Sequence, residues 1–167
     1  VRETLKGLLG QILESSDPVS VIEEARNAAR NLMQGKVPIE KLLMSKQLAS
    51  EYKVPMPHVA VRDKIRARAP GSEPQQGDRV PFVIVTGPGR MYEKAEDPAW
   101  VKEKGVPLDY QYYFTNQFKK PVQDLLEPLV SPDLIFDKKF MAKTESTSEV
   151  AARKAFLAMF GAKVNKQ

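Results

Sequence analysis

The chain has 167 residues, enough for one domain or one domain with a tail, and its 42% hydrophobic and 28% charged content excludes wholesale disorder. With no cysteine and one histidine, His58, it excludes disulfides, thiolate metal sites, a cysteine nucleophile and a His-pair zinc centre. Lys plus Arg number 26 against 21 Asp plus Glu, a net charge of +5 with a pI near 9.3, which points to a polyanionic partner. Thirteen prolines against nine glycines predict short elements and an irregular fold. No apolar run approaches the roughly 20 residues of a membrane span, and residues 1–11 lack a signal-peptide core. The sequence starts without Met and inside a helical pattern, so a piece of a longer protein is expected.

In chain order, Leu5, Leu8, Leu9, Ile12 and Leu13 recur at helical spacing, and Ser15, Ser16 and Asp17 end that pattern. Asp17-Pro18 then supplies an N-cap and a first-turn proline for a second amphipathic helix. Val21, Ile22, Ala25, Ala28, Ala29, Leu32 and Met33 form its apolar face, with Gly35 as its stop. In VPIEKLLMSKQL, Ile39, Leu42, Leu43 and Leu48 suit a helix, while Leu42 to Ser45 also suits a short strand; periodicity leaves both open. After Pro55 and Pro57 a helix over 58–69 is expected, with Val59, Val61 and Ile65 inward and Arg62, Lys64, Arg66 and Arg68 largely outward.

The most strand-like run is GDRVPFVIVT, Gly77 to Thr86, rich in β-branched and aromatic residues. Pro81 has no backbone donor and so belongs near the strand's start or on an edge. TGPGR at 86–90 turns the chain towards a second short strand or irregular segment through Met91 and Tyr92. Asp97-Pro98 caps a short helix to Lys104, closed by Gly105 and Pro107. Leu108 to Val130 is the longest helical candidate, with Pro121 forcing a kink or break near 116–120. Beyond Pro132 the chain becomes a tail ending in an amphipathic stretch from Glu149 to Phe160. The expected class is mainly α with a small β component (α+β), the strand or hairpin lying around residues 80–92.

Catalytic constellations are absent from the sequence: there is no Walker-type loop, nucleophile elbow or His pair. Two close glycines make TGPGR a surface turn rather than a phosphate cradle. Glu93, Glu96 and Asp97 read as cap and surface charges rather than ligands of a divalent ion. His58 reads as a cap or packing residue rather than a general base. Trp100 and the Tyr110, Tyr112, Tyr113 cluster fit packing better than base stacking. Lys64, Arg66 and Arg68 spread charge over a helix face, and Arg79, Arg90, Lys94, Lys119 and Lys120 recur at turns or helix ends. That pattern suits phosphate contacts, and equally a solvated surface.

HVAVRDKIRARAPGSEPQQGDRVPFVIV at 58–85, followed by YEKAEDPAWVKEKGVPLDYQYYFTNQFKKPVQDLLEPLV at 92–130, resembles the thumb of family B DNA polymerases. The nearest pattern is the eukaryotic delta type and its large-virus relatives. PGSEP, GDRVPFVIV, KAEDP, LDYQYY, Gln117, Lys120-Pro121 and EPL occur in family order, and the resemblance extends back through LLMSKQL to residue 1. It implies a thumb domain over 1–130, residues 1–15 continuing from the palm, and a C-terminal tail over 131–167.

The function so implied is a grip on the primer-template duplex through its phosphates, within a DNA-directed DNA polymerase, a nucleotidyltransferase. The metal-binding aspartates, and hence Mg2+, would belong to the palm, so this chain alone would be inactive and would bind no cofactor. The resemblance places DNA contacts at Lys64, Arg66, Arg68, Arg79, Lys119 and Lys120, with Lys46 and Arg90 behind them. Gly77, Asp78, Tyr112, Tyr113 and Gln117 support them, Asp78 by orienting Arg79 or by capping the turn. Cysteine-rich motifs that follow the thumb in cellular delta enzymes have no counterpart here, which favours a viral relative. The expected setting is the nucleus or a viral replication compartment, with no membrane partner. An alternative is an interaction module in which the apolar face at 150–160 docks a processivity factor or sliding clamp; packing of that face on the body is the competing reading.

Overall fold

The computed structural model describes residues 6–7, 9–10, 14 and 17–142. The expected amphipathic helix at 149–160 lies outside the described residues, as does most of the first leucine pattern, although Lys6, Gly7, Leu9, Gly10 and Glu14 are helical. The described residues are mainly helical with one small antiparallel sheet, the α+β class expected. They divide into two compact units, one of residues up to Val37 together with those from Tyr110 onward, the other Pro38–Asp109.

In the first unit, α1 (Pro18–Met33) starts where Asp17 accepts hydrogen bonds from the N–H groups of Val19 and Ser20 at 3.1 and 3.2 Å. It ends at Gly35, whose φ of +69° lets Gly35 N bond Leu32 O and Lys36 N bond Asn31 O. Those two bonds satisfy carbonyls that the helix end would otherwise leave unpaired. Val21, Ala25, Ala29, Leu32 and Met33 are buried, as their spacing requires. The long helical candidate is real but composite: α4 (Tyr110–Tyr113), a π turn (Phe114–Lys119) and α5 (Lys120–Leu126). Pro121 has no N–H to donate back to residue 117, and the widened turn just before it absorbs the break expected at 116–120. Phe114, Phe118, Val122 and Leu126 are buried with Ile135 and Phe136, the latter from and just after α6 (Pro132–Ile135). Arg26 of α1 holds that segment, donating to Ile135 O at 2.9 Å, Leu134 O at 2.8 Å and the Asp137 carboxylate at 3.1 Å.

In the Pro38–Asp109 unit, the ambiguous stretch becomes a 3-10 turn at Ile39–Lys41 and then strand β1 (Met44–Gln47). The helix α2 (Pro57–Arg68) follows, then β2 (Arg79–Ile84), β3 (Ala95–Glu96) and α3 (Pro98–Lys104). The second short strand therefore lies at 95–96, because residues 91–94 are still turning. Strand order is β1-β2-β3, which makes β2 the middle strand. Pro81 is nonetheless accommodated. Leu48 N donates to Asp78 O at 2.8 Å, and ladder alternation along the register Lys46↔Val80, Ser45↔Pro81 puts Pro81 at a position that sends no N–H towards β1. On the other edge β3 pairs only with Val83 and Ile84, so no donor is missed there.

Val80, Phe82 and Ile84 alternate onto one buried face, Val83 is buried as well, and α2 and α3 both pack on β2. Val61, Leu42, Leu48, Ala95, Val101 and Leu108 complete this core. Asp97 caps α3 by accepting from Ala99 N and Trp100 N at 3.2 and 3.3 Å, the cap expected from the Asp-Pro pair. No helix of the described residues is long and apolar enough to cross a membrane.

Candidate nucleic-acid interface

Arg79 opens β2 directly across from Gln47, and Ser45 lies diagonally on the same face of the two-stranded ribbon. Ser45, Gln47, Arg79 and Pro81 are all exposed. The Arg79 Nε donates to Ser45 Oγ at 3.0 Å, and the guanidinium has no ion pair among the described residues. Gly77, at φ +90°, shapes the turn that delivers it, with Gly77 N bonded to Leu48 O at 2.9 Å and Gly77 O taking the Gln47 side-chain amide at 2.9 Å. Asp78 caps that turn, accepting from Gln75 N at 2.8 Å. Of its two expected roles, capping is the one the geometry contains.

Lys46 pairs with Val80 and so lies on the opposite face of the ribbon from Arg79. It approaches His58, a fully buried residue whose Nε2 meets the Tyr52 hydroxyl at 2.8 Å and whose Nδ1 has no hydrogen-bond partner among the described residues. Burial first, then the charges of Lys46 and Arg62, hold the His58 imidazole below its ordinary pKa. His58 is thus buried against Tyr52, the packing role expected of it.

The basic row on α2 is only partly outward, a correction to its expected orientation. Lys64 turns its amine inward onto Glu93 O at 2.8 Å, Ala95 O at 2.7 Å and the Glu96 carboxylate at 3.3 Å. Arg68 donates to Glu96 at 2.8 Å and lies 4.0 Å over the Trp100 ring. Glu96 is therefore not a surface charge: it is 4% exposed and serves as the counter-ion of both. Burial alone would raise its carboxyl, but hydrogen bonds from Arg68 and Asp97 N, with the charges of Lys64 and Arg68, hold it below the usual carboxylate range. Arg66 stays exposed and bonds Glu73 at 3.1 Å.

Arg90 is exposed at the 86–90 turn, where the Glu93 carboxylate accepts its backbone N–H at 2.5 Å. A Cβ placed on Gly89 would come 2.7 Å from the same carboxylate, so the turn is filled by its own anion rather than open to a phosphate. In the other unit, Lys119 ends the π turn without an ion pair among the described residues, and the exposed Lys120 bonds Asp124 at 2.5 Å. Tyr113 is buried with Tyr112 edge-on against it at 5.6 Å, and Gln117 is half-buried beside Phe118. The two tyrosine rings therefore pack on each other, with Tyr113 in the core.

Among the described residues no group of three or more Asp, Glu or His side chains is placed to hold a metal ion. Glu93, Glu96 and Asp97 are engaged in a turn, an ion pair and a helix cap respectively. A catalytic Mg2+ does not fit them.

Sequence reading missed Ser45, Gln47 and Glu96, whose roles depend on the β1–β2 register and on α2 lying over β3, which no local pattern encodes. It also missed Glu73, which folds back to Arg66 and Gly71 N within the loop after α2.

A model of the family described as DNA polymerase family B matches residues 1–129. DNA polymerase delta catalytic subunits are similar: that of Dictyostelium discoideum is 37% identical over 140 residues, 81% of this chain and 13% of that protein. The Mesocricetus auratus subunit is 34% identical over 158 residues, 89% of this chain and 14% of its own length. The Drosophila melanogaster subunit is 30% identical over 164 residues, 94% of this chain and 15% of its length. Among solved structures, the family B DNA polymerase of the hyperthermophilic archaeon Pyrobaculum calidifontis aligns with a TM-score of 0.67 at 26% identity, covering 77% of this chain and 18% of that one. The chain spans about a seventh of the length of the curated relatives it matches.

Proposed function

The chain belongs to DNA polymerase family B, and from that premise we propose that it is the thumb of a DNA-directed DNA polymerase, holding the primer-template duplex through its phosphates. The observation that carries the reading is Arg79. It stands at the mouth of the middle strand, fixed at Nε and exposed, with no carboxylate neutralising it among the described residues. A polymerase must hold duplex of any sequence and still move along it, and contacts to phosphate do this because they carry charge without base information.

Lys46 and Arg90 in the same unit, and Lys119 in the other, are exposed or half-exposed cations without an ion pair among the described residues, and we assign them the same role. Lys120 joins them by exchanging its exposed Asp124 partner for a phosphate. Lys64 and Arg68 act indirectly, by fixing α2 over β3 through Glu96, and Arg66 stands between the two groups. Nucleotidyl transfer and its Mg2+ belong, in this reading, to a palm outside this chain. A source in a DNA virus and a processivity partner are compatible with it.

The test is the binding of labelled primer-template duplexes of unrelated sequence to the chain and to Arg79→Ala. The variant should bind every duplex more weakly, by about tenfold for one charge-assisted contact. A loss confined to some sequences would assign Arg79 to base reading and contradict the proposal.

A further inference from the structure

We infer that Ser45 is a positioning residue for Arg79, holding the guanidinium so that its outer edge meets an oxyanion of the nucleic-acid backbone. The inference deepens the function proposed above and rests on it.

An exposed arginine at a strand end samples many rotamers, and fixing it on binding costs affinity. Here one nitrogen is already held: Nε donates to Ser45 Oγ at 3.0 Å. With Nε engaged, NH1 and NH2 form the remaining fork, the pair of donors that matches two phosphate oxygens. Ser45 is placed to do this by the strand register alone. It faces Pro81, whose side chain lacks any polar atom, so no other cross-strand hydroxyl or carboxylate competes at that position. Directly opposite Arg79, Gln47 turns its amide N–H to Gly77 O at 2.9 Å, and the hydroxyl that accepts from the Arg79 Nε is that of Ser45. A serine hydroxyl is neutral, so it orients the cation without cancelling its charge. Arg66, Arg68 and Lys120 differ in this respect, since each meets a carboxylate.

The test is a double-mutant cycle on the full chain, reading duplex affinity over a series of salt concentrations for Ser45→Ala, Arg79→Ala and the double variant, with Ser45→Thr as the conservative replacement. Ser45→Ala should weaken binding by about threefold to tenfold, the range of one net hydrogen bond, and leave the salt dependence unchanged because no charge is removed. Arg79→Ala should weaken binding and reduce the salt slope by about 1. In the Arg79→Ala background Ser45→Ala should cost nothing further, and Ser45→Thr should bind like the parent, since threonine keeps the hydroxyl and suits a strand. Salt-dependent duplex binding with Ser45→Ala neutral, or equally harmful in both backgrounds, would overturn the positioning role alone. Absence of salt-dependent duplex binding in the parent chain would overturn the thumb reading and this inference with it.

Discussion

Glu96 shows how a residue's neighbours decide its chemistry. In sequence it sits in an acidic cluster beside Glu93 and Asp97, yet in the structure it is buried and shared by Lys64 and Arg68. Replacing a carboxylate in such a pair leaves two cations without their counter-ion. Because those cations are 31% and 33% exposed, water screens part of the loss, and Glu96→Gln should destabilise the folded chain by about 2 kcal/mol. Urea unfolding of the two proteins at neutral pH measures this; equal midpoints would show that the pair contributes nothing.

Protons act on the same scale. His58 has a lowered pKa when folded, so below its unfolded value of about 6.5 the unfolded chain binds more protons. Its contribution is complete above that pH and is lost as pH falls towards the folded value. Glu96 is also lowered, and its contribution, present above the unfolded carboxylate value of about 4.3, is lost further into acid. Stability should therefore decline first in the interval just below about pH 6.5, and His58→Gln should flatten that part of the profile. An unchanged slope in urea midpoints over that interval would assign the decline to other groups.

At the scale of elements, the two left-handed glycines that end helices make a matched pair. Gly35 has φ +69° and a Cβ there would lie 3.0 Å from the Tyr110 ring, whereas Gly105 has φ +64° with open space around it. Gly105→Ala should cost about 1 kcal/mol of backbone strain, and Gly35→Ala measurably more, because the ring must also move. Equal thermal midpoints for the two variants would contradict the packing of Tyr110 on Gly35.

Caps and stops were legible because their signals are local: Asp17-Pro18, Gly35, Asp97-Pro98 and Gly105 stand where the sequence puts them. The break before Pro121 was legible for the same reason, though its form, a π turn over Phe114–Lys119, was not. Strand β1 was undecidable because four residues carry too little periodicity, and what makes it a strand is its partner thirty-odd residues away. With β1 open, the companionship of Ser45 and Arg79 was hidden. The inward turn of Lys64 was hidden too, since alternation along α2 does not say that the carbonyls of Glu93 and Ala95 and a buried carboxylate lie within its reach.

At the scale of the whole molecule, a net charge of +5 pointed to a polyanionic partner, but charge count alone says nothing of which cations are available. The structure separates those that build the fold, Lys64 and Arg68 above all, from Arg79, Lys46, Arg90 and Lys119, which have no ion pair among the described residues and which we propose meet phosphate. The chain belongs to DNA polymerase family B, and each unit carries part of the set. With Lys120 joining them, five proposed phosphate contacts predict a definite electrostatic signature. Titrating a labelled primer-template duplex with the chain at salt concentrations from 50 to 200 mM should give a linear fall of log affinity against log salt, with a slope of about −4 to −5. An affinity that does not fall as salt rises would contradict the phosphate grip.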